Sequence, residues 1–189
     1  MRDVYGALIA LRKLSYVDGK HIGIMGGSHG GMTTLAVMVK SPTENDLMSR
    51  LKRNGFAAGI AFYPNCGISY GEWRTVRQNK DFGPVVSHSG VYKPIGPVLI
   101  LTGEKDDWTP AEECRQMVEV SRAEGHPTSL VTYPDAHHSF DSTMPVNFNP
   151  NRTAVSAPTG KGATTGGNAS AWADAKKKVT SFFDQHLKK

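Results

Sequence analysis

Cysteine is scarce in this sequence, with two residues, Cys66 and Cys114, among 189. Two cysteines are too few for a disulfide framework and their spacing matches no zinc motif, so we expect no metal site, while one disulfide between them stays open. Long apolar runs are also missing, both for a membrane span and for an N-terminal signal sequence. We therefore expect no membrane association and favour the cytoplasm as the compartment.

Positive charge is only slightly in excess, because the sequence has 22 Lys and Arg and 17 Asp and Glu, which gives a formal net charge of +5. Many of the lysines lie near the C-terminus and alternate with apolar positions, which is typical of a solvated helix face. They are Lys176, Lys177, Lys178, Lys188 and Lys189. Since no aromatic residues interleave with them and no binding motif is present, we expect no nucleic-acid partner.

The sequence does contain short apolar runs that alternate with segments of helical periodicity. This alternation predicts a mainly parallel sheet of about four strands flanked by helices, in one α/β domain over residues 1–189. The predicted strands are 21–25, 57–63, 98–102 and 129–133, and the predicted helices are 4–14, 32–39, 111–124 and 170–187.

Residues 26–30, Gly-Gly-Ser-His-Gly, fit the pattern G-x-S-x-G between a predicted strand and a predicted helix. Its glycines let a strand turn sharply into a helix and leave the hydroxyl of Ser28 exposed. A phosphate-binding loop is excluded because Met32 and Thr33 stand where a lysine would be needed, and no G-x-G-x-x-G is present. An ordinary tight turn with an uninvolved serine is the remaining alternative.

A nucleophilic serine needs a base and an acid that orients the base, and both residue types follow later strands. Asp106 and Asp107 come after the third predicted strand, and His137 and His138 come after the fourth. Open parallel sheets place their sites at the carboxyl ends of the strands, so these side chains are expected near Ser28.

Four segments together resemble the dienelactone hydrolase family of the α/β-hydrolase superfamily over nearly the whole chain. The resemblance implies Ser28 as nucleophile, Asp106 as acid and His138 as base, with Asp107 and His137 as alternates, and no cofactor. The family's namesakes use cysteine where this chain has Ser28, so the resemblance favours esters with a small acyl group or lactones over dienelactone itself. The segments are 23–31, 63–67, 103–110 and 133–141.

The resemblance also implies a truncated fold, because the family's sheet begins with several strands before the helix in which this chain starts. The missing part normally supplies one oxyanion donor, which leaves the N–H of His29 as the donor we name; one such donor is worth on the order of 10² to 10³ in rate. Strand 21–25 then becomes an edge with unpaired backbone groups, so we predict a homodimer through it.

Two stretches interrupt the strand and helix pattern. Residues 67–96, rich in Gly and Pro, are expected to overhang the site, and residues 142–169 are predicted to be a long irregular loop that is mobile or draped over the site. The leading function is a serine esterase acting on a small-molecule ester. An acylaminoacyl- or dipeptidyl-type peptidase ranks lower because nothing suggests a site for a free peptide amine, and a catalytically weak domain used in protein association is the third alternative.

Overall fold

Four parallel strands form the central sheet of the computed structural model, which describes residues 2–40, 55–79 and 83–188. They are adjacent in the order β1, β2, β5, β6, and their bounds are β1 Gly23–Gly27, β2 Ala58–Phe62, β5 Val98–Gly103 and β6 Thr128–Tyr133. Every residue of β2 and β5 is buried, which explains why these strands are continuous apolar runs. The predicted α/β class and parallel sheet are confirmed.

Helices cover both faces of this sheet. Helix α1 (Arg2–Leu11), α2 (His29–Met38) and α3 (Ala111–Ala123) contribute to one apolar core, and α4 (Ala169–Leu187) contributes to the other. Strand β5 feeds both cores, because Ile100 packs in the first and Leu101 in the second, as the alternation of strand side chains requires. Among the described residues, no helix is long and apolar enough to cross a membrane.

A disulfide bond joins Cys66 and Cys114, which lie 48 positions apart. Cys66 belongs to the loop after β2 and Cys114 to the first turn of α3, and both are fully buried. The bond therefore ties α3 to the neighbouring part of the sheet, and it settles the question that the sequence left open.

The prediction of an irregular segment at residues 142–169 is wrong. Strands β7 (Asn147–Thr153) and β8 (Lys161–Thr165) pair there as an antiparallel hairpin. A second hairpin, β3 (Arg74–Arg77) with β4 (Val85–Ser89), lies within 67–96. Strand β7 has the sequence Asn-Phe-Asn-Pro-Asn-Arg-Thr. Because Asn and Pro are rare in strands, this composition does not predict one. That residues 67–96 overhang the site stays a prediction, and residues 80–82 lie outside the described residues.

Strand β1 is at one edge of the described sheet, as predicted, although it is shifted by two positions from the predicted 21–25. Ile22 and Ile24 at this edge are partly buried against the first core. Met25 is 55% exposed. Dimerisation through this edge stays a prediction.

Candidate active site

Ser28 stands alone between the end of β1 at Gly27 and the start of α2 at His29. Its φ of 54° lies in the left-handed region, which costs a non-glycine residue on the order of 1 to 3 kcal/mol. The turn is fixed by its neighbours, because the N–H of Ser28 donates to the Phe62 carbonyl over 3.0 Å. A Cβ on Gly27 would lie 2.6 Å from the hydroxyl of Tyr63, so glycine is required there.

His138 connects Ser28 to Asp106. Its Nε2 lies 2.9 Å from Ser28 Oγ, and its Nδ1 lies 2.8 Å from Asp106 Oδ2. Because a carboxylate can only accept, the hydrogen belongs on Nδ1, and Nε2 accepts from the serine hydroxyl. His138 is 1% exposed and Asp106 is 4% exposed, so the pair is shielded from water. The structure thus brings together the three residues that the sequence singled out.

The Asp106 carboxylate is held by the backbone that follows it. Its Oδ1 accepts from the N–H of Trp108 over 3.0 Å and from the N–H of Thr109 over 2.8 Å, and its Oδ2 lies 2.9 Å from Thr109 Oγ1. Such charge-assisted bonds compensate the burial of a carboxylate and fix its orientation.

The two alternate residues point to other partners. Asp107 accepts from the N–H and the hydroxyl of Thr164, each over 2.7 Å, and so anchors strand β8. Nδ1 of His137 lies 2.9 Å from the carbonyl oxygen of Lys105. Among the described residues, neither Asp107 nor His137 forms a hydrogen bond to Ser28, Asp106 or His138.

Aromatic rings enclose the imidazole of His138 on two sides. Ring centroids of Tyr63 and Trp108 lie 4.6 and 4.7 Å from it. Tyr63 has a left-handed φ of 35° and donates its hydroxyl to Asp141 Oδ1 over 2.7 Å. Burial, followed by this bond to Asp141, raises the pKa of Tyr63 well above its usual value, so the phenol stays a donor. Sequence reasoning missed Tyr63, although it follows β2 at the same end of the sheet.

The β7–β8 hairpin lies beside the backbone of His138. Thr165 forms a bridge with His138, and the N–H of Gly166 donates to the His138 carbonyl over 3.0 Å. The guanidinium of Arg152 lies 4.9 Å above the Trp108 ring. The segment predicted to be mobile or draped over the site therefore contacts the candidate base through its backbone.

The predicted oxyanion donor, His29, is the first residue of α2. N–H groups in the first turn of a helix lack intrahelical acceptors, so this position suits a developing negative charge. Within the described residues, no three His, Cys, Asp or Glu side chains are grouped so that they could hold a metal ion.

The sequence was compared with protein families and with curated proteins. The sequence model of the prolyl oligopeptidase family matches residues 1–147. The chain is 25% identical over 140 residues to the uncharacterized peptidase YuxL of Bacillus subtilis, and 24% identical over 148 residues to dipeptidyl-peptidase 5 of Porphyromonas endodontalis. These matches cover 71% and 73% of this chain and 21% of each relative, so the chain spans about a fifth of their length.

Solved structures share the fold at low sequence identity. Esterase 2 of Thermogutta terrifontis, with butyrate bound, superposes with a TM-score of 0.60 at 16% identity, over 98% of this chain and 64% of that one. A Klebsiella pneumoniae protein described as a dienelactone hydrolase gives a TM-score of 0.56 at 18% identity, over 97% and 59%. The expected α/β-hydrolase fold is confirmed by both.

Proposed function

The chain belongs to the prolyl oligopeptidase family, and on this premise we propose that it is a serine hydrolase that cleaves carboxylic esters with small acyl groups, or lactones. The observation that carries the proposal is the hydrogen-bonded series of Asp106, His138 and Ser28, with the serine on the sharp turn between β1 and α2. Ser28, Asp106 and His138 are the catalytic residues of this proposal, and His29 is its oxyanion donor.

The geometry supports acyl transfer through a covalent intermediate. Ser28 Oγ attacks the acyl carbon while His138 Nε2 takes its proton, and Asp106 stabilises the imidazolium. The oxyanion of the tetrahedral intermediate accepts from the N–H of His29. As the intermediate collapses, Nε2 gives the proton to the departing alkoxide. Water then attacks the acyl-enzyme, again losing a proton to Nε2, and the acid leaves as Ser28 is restored.

Esters are favoured over amides because an alkoxide leaves more readily than an amide anion. Esterase 2 of Thermogutta terrifontis has solved structures with propionate and with butyrate bound. We extend that choice of short acids to this chain as part of the proposal.

Peptidase activity of the acylaminoacyl or dipeptidyl type is the second candidate. It is favoured by the family itself and by two relatives, dipeptidyl-peptidase 5 and the acylamino-acid-releasing enzyme 1 of Oryza sativa, which is 23% identical over 159 residues. That enzyme is matched over 75% of this chain and 20% of its own length. The choice between an ester and an amide substrate is decided by experiment.

The test combines covalent labelling with a substrate panel. A fluorophosphonate should add one label per chain at Ser28, as located by peptide mapping, and Ser28→Ala should lose both the label and on the order of 10⁶-fold in kcat. p-Nitrophenyl acetate and butyrate should give higher kcat/KM than the palmitate ester, N-acetylalanine p-nitroanilide or a dipeptidyl p-nitroanilide.

Three outcomes contradict parts of this proposal. Label on another serine, or full turnover by Ser28→Ala, removes Ser28 as the nucleophile. A higher kcat/KM for either anilide replaces esterase by peptidase. A folded wild type that takes no label and turns over none of the substrates favours the weak domain used in protein association.

A further inference from the structure

Thr109 is a buried residue beside the base to which the mechanism above gives no task. It is 7% exposed. Thr109 belongs to the loop after β5 and stands directly before Pro110, the residue that precedes α3. Its Oγ1 is within hydrogen-bond distance of three polar groups. These are His138 Nδ1 at 3.0 Å, Asp106 Oδ2 at 2.9 Å and the carbonyl oxygen of Tyr63 at 3.1 Å.

The hydrogens around Thr109 can be assigned by counting donors and acceptors. A hydroxyl has one hydrogen and two lone pairs. The hydrogen on His138 Nδ1 faces Asp106 Oδ2 and Thr109 Oγ1 together, so Oγ1 is its second acceptor. The one hydroxyl hydrogen then goes to Tyr63 O, 3.1 Å away, because Asp106 Oδ2 already accepts the Nδ1 hydrogen of His138. A buried network in which each member has a partner fixes the orientation of its groups.

The Tyr63 carbonyl is itself held in place. Tyr63 has the left-handed φ of 35°, and its N–H donates to the Leu101 carbonyl over 2.7 Å. Strained backbone of this kind persists where surrounding contacts impose it. Thr109 thus connects the ends of three adjacent strands, since Tyr63 follows β2, Asp106 follows β5 and His138 follows β6.

We propose that Thr109 is a positioning residue of the catalytic site, an inference that rests on the proposed serine hydrolase function. Its hydroxyl shares the Nδ1 hydrogen of His138 and ties the imidazole to the Tyr63 carbonyl. The ring is thereby kept in the tautomer and the plane in which Nε2 faces Ser28. Thr109 acts through His138 and does not contact substrate.

Two substitutions separate the hydroxyl from the bulk of the side chain. Thr109→Val keeps the volume and removes the hydroxyl, whereas Thr109→Ser keeps the hydroxyl and removes the methyl group. With p-nitrophenyl butyrate, we expect Thr109→Val to lower kcat by about 10- to 100-fold with little change in KM, since misplacing a base costs this much. Thr109→Ser should stay close to the wild type, and the rate of fluorophosphonate labelling should follow the same order.

A readout without turnover tests the contact directly. The low-field proton NMR signal of the His138 Nδ1 hydrogen should be present in the wild type and in Thr109→Ser, and broadened by faster exchange in Thr109→Val. His138→Ala identifies the signal by its loss. Thr109→Ala serves with the same expectation if the valine variant does not fold, as judged by circular dichroism.

The results distinguish this inference from the proposed function. An active wild type with a fully active Thr109→Val overturns the positioning role and leaves the hydrolase intact. Equal losses in Thr109→Ser and Thr109→Val also overturn it, because they assign the effect to the methyl group. A wild type without turnover refutes the proposed function, while an unchanged Nδ1 signal in Thr109→Val refutes the contact in either case.

Discussion

At the scale of single residues, the two adjacent histidines have opposite surroundings. His138 is buried beside the rings of Tyr63 and Trp108 and faces Ser28, whereas Nδ1 of His137 lies near the carbonyl oxygen of Lys105 at the surface. The backbone changes direction directly after them, because Ser139 has a φ of 61°. One position along the chain therefore separates a candidate base from a loop residue.

We predict that His138→Ala lowers kcat for a short activated ester by on the order of 10⁶-fold, because Ser28 loses the group that takes its proton. His137→Ala, its matched control, should stay near the wild-type value, because one hydrogen bond at the surface is lost. Steady-state kinetics on both variants, with circular dichroism to show that each is folded, provide the measurement. A larger loss in His137→Ala would exchange the two assignments.

Ser28, Asp106 and His138 could be singled out in the sequence because each is chemically distinctive and follows a recognisable strand, and the structure brings the three within hydrogen-bond distance. It did not extend to Thr109, which the sequence shows only as a residue before proline. Its position against Nδ1 of His138 depends on how the loop after β5 meets the loop after β6, and no local pattern encodes that distance.

At the scale of elements, a few polar contacts attach the β7–β8 hairpin to the loops that follow the central strands. Asp107 holds Thr164 through two hydrogen bonds, and Arg152 lies over Trp108. Strands β2 and β5 could be recognised in the sequence because burial on both faces demands continuous apolar residues. The hairpin could not, since its strands are polar and are kept in place by contacts distant in the chain.

We predict that Asp107→Ala loosens the hairpin and destabilises the fold by about 1 kcal/mol, the net value of such exposed hydrogen bonds. Amide hydrogen exchange over residues 161–165 should become faster, and KM should change more than kcat because Asp106 and His138 keep their contacts. Thr164→Val, which loses the hydroxyl bond and keeps the backbone one, should show a smaller effect. Unchanged exchange in Asp107→Ala would mean that the other contacts suffice to hold the hairpin.

At the scale of the whole molecule, the Cys66–Cys114 bond closes a large loop that includes β3, β4 and β5. Disulfides persist in oxidising compartments and are rare in the cytosol, so this bond does not fit the cytoplasm that the sequence favoured as the compartment. Its position inside the first core assigns it to stability.

We predict that the double substitution Cys66→Ala and Cys114→Ala lowers the free energy of unfolding by about 4 kcal/mol, the loop-entropy value for a closed loop of this length. That is a large part of the 5 to 15 kcal/mol, roughly, that a domain has in total. Urea unfolding of the oxidised protein and of the double variant measures the difference. An unchanged midpoint at an unchanged slope would show that the bond contributes nothing.

The arrangement of the candidate site along the chain has a kinetic consequence. Ser28 and His138 are 110 positions apart, and Asp106 and His138 are 32 apart, so each contact requires strands that are remote in sequence to be paired already. Contacts of such separation form slowly, because the closure of long loops is costly. Helix content can recover early during refolding, whereas the proposed hydrolytic activity can return only when the four parallel strands are in register, which would make that activity a reporter of the completed fold.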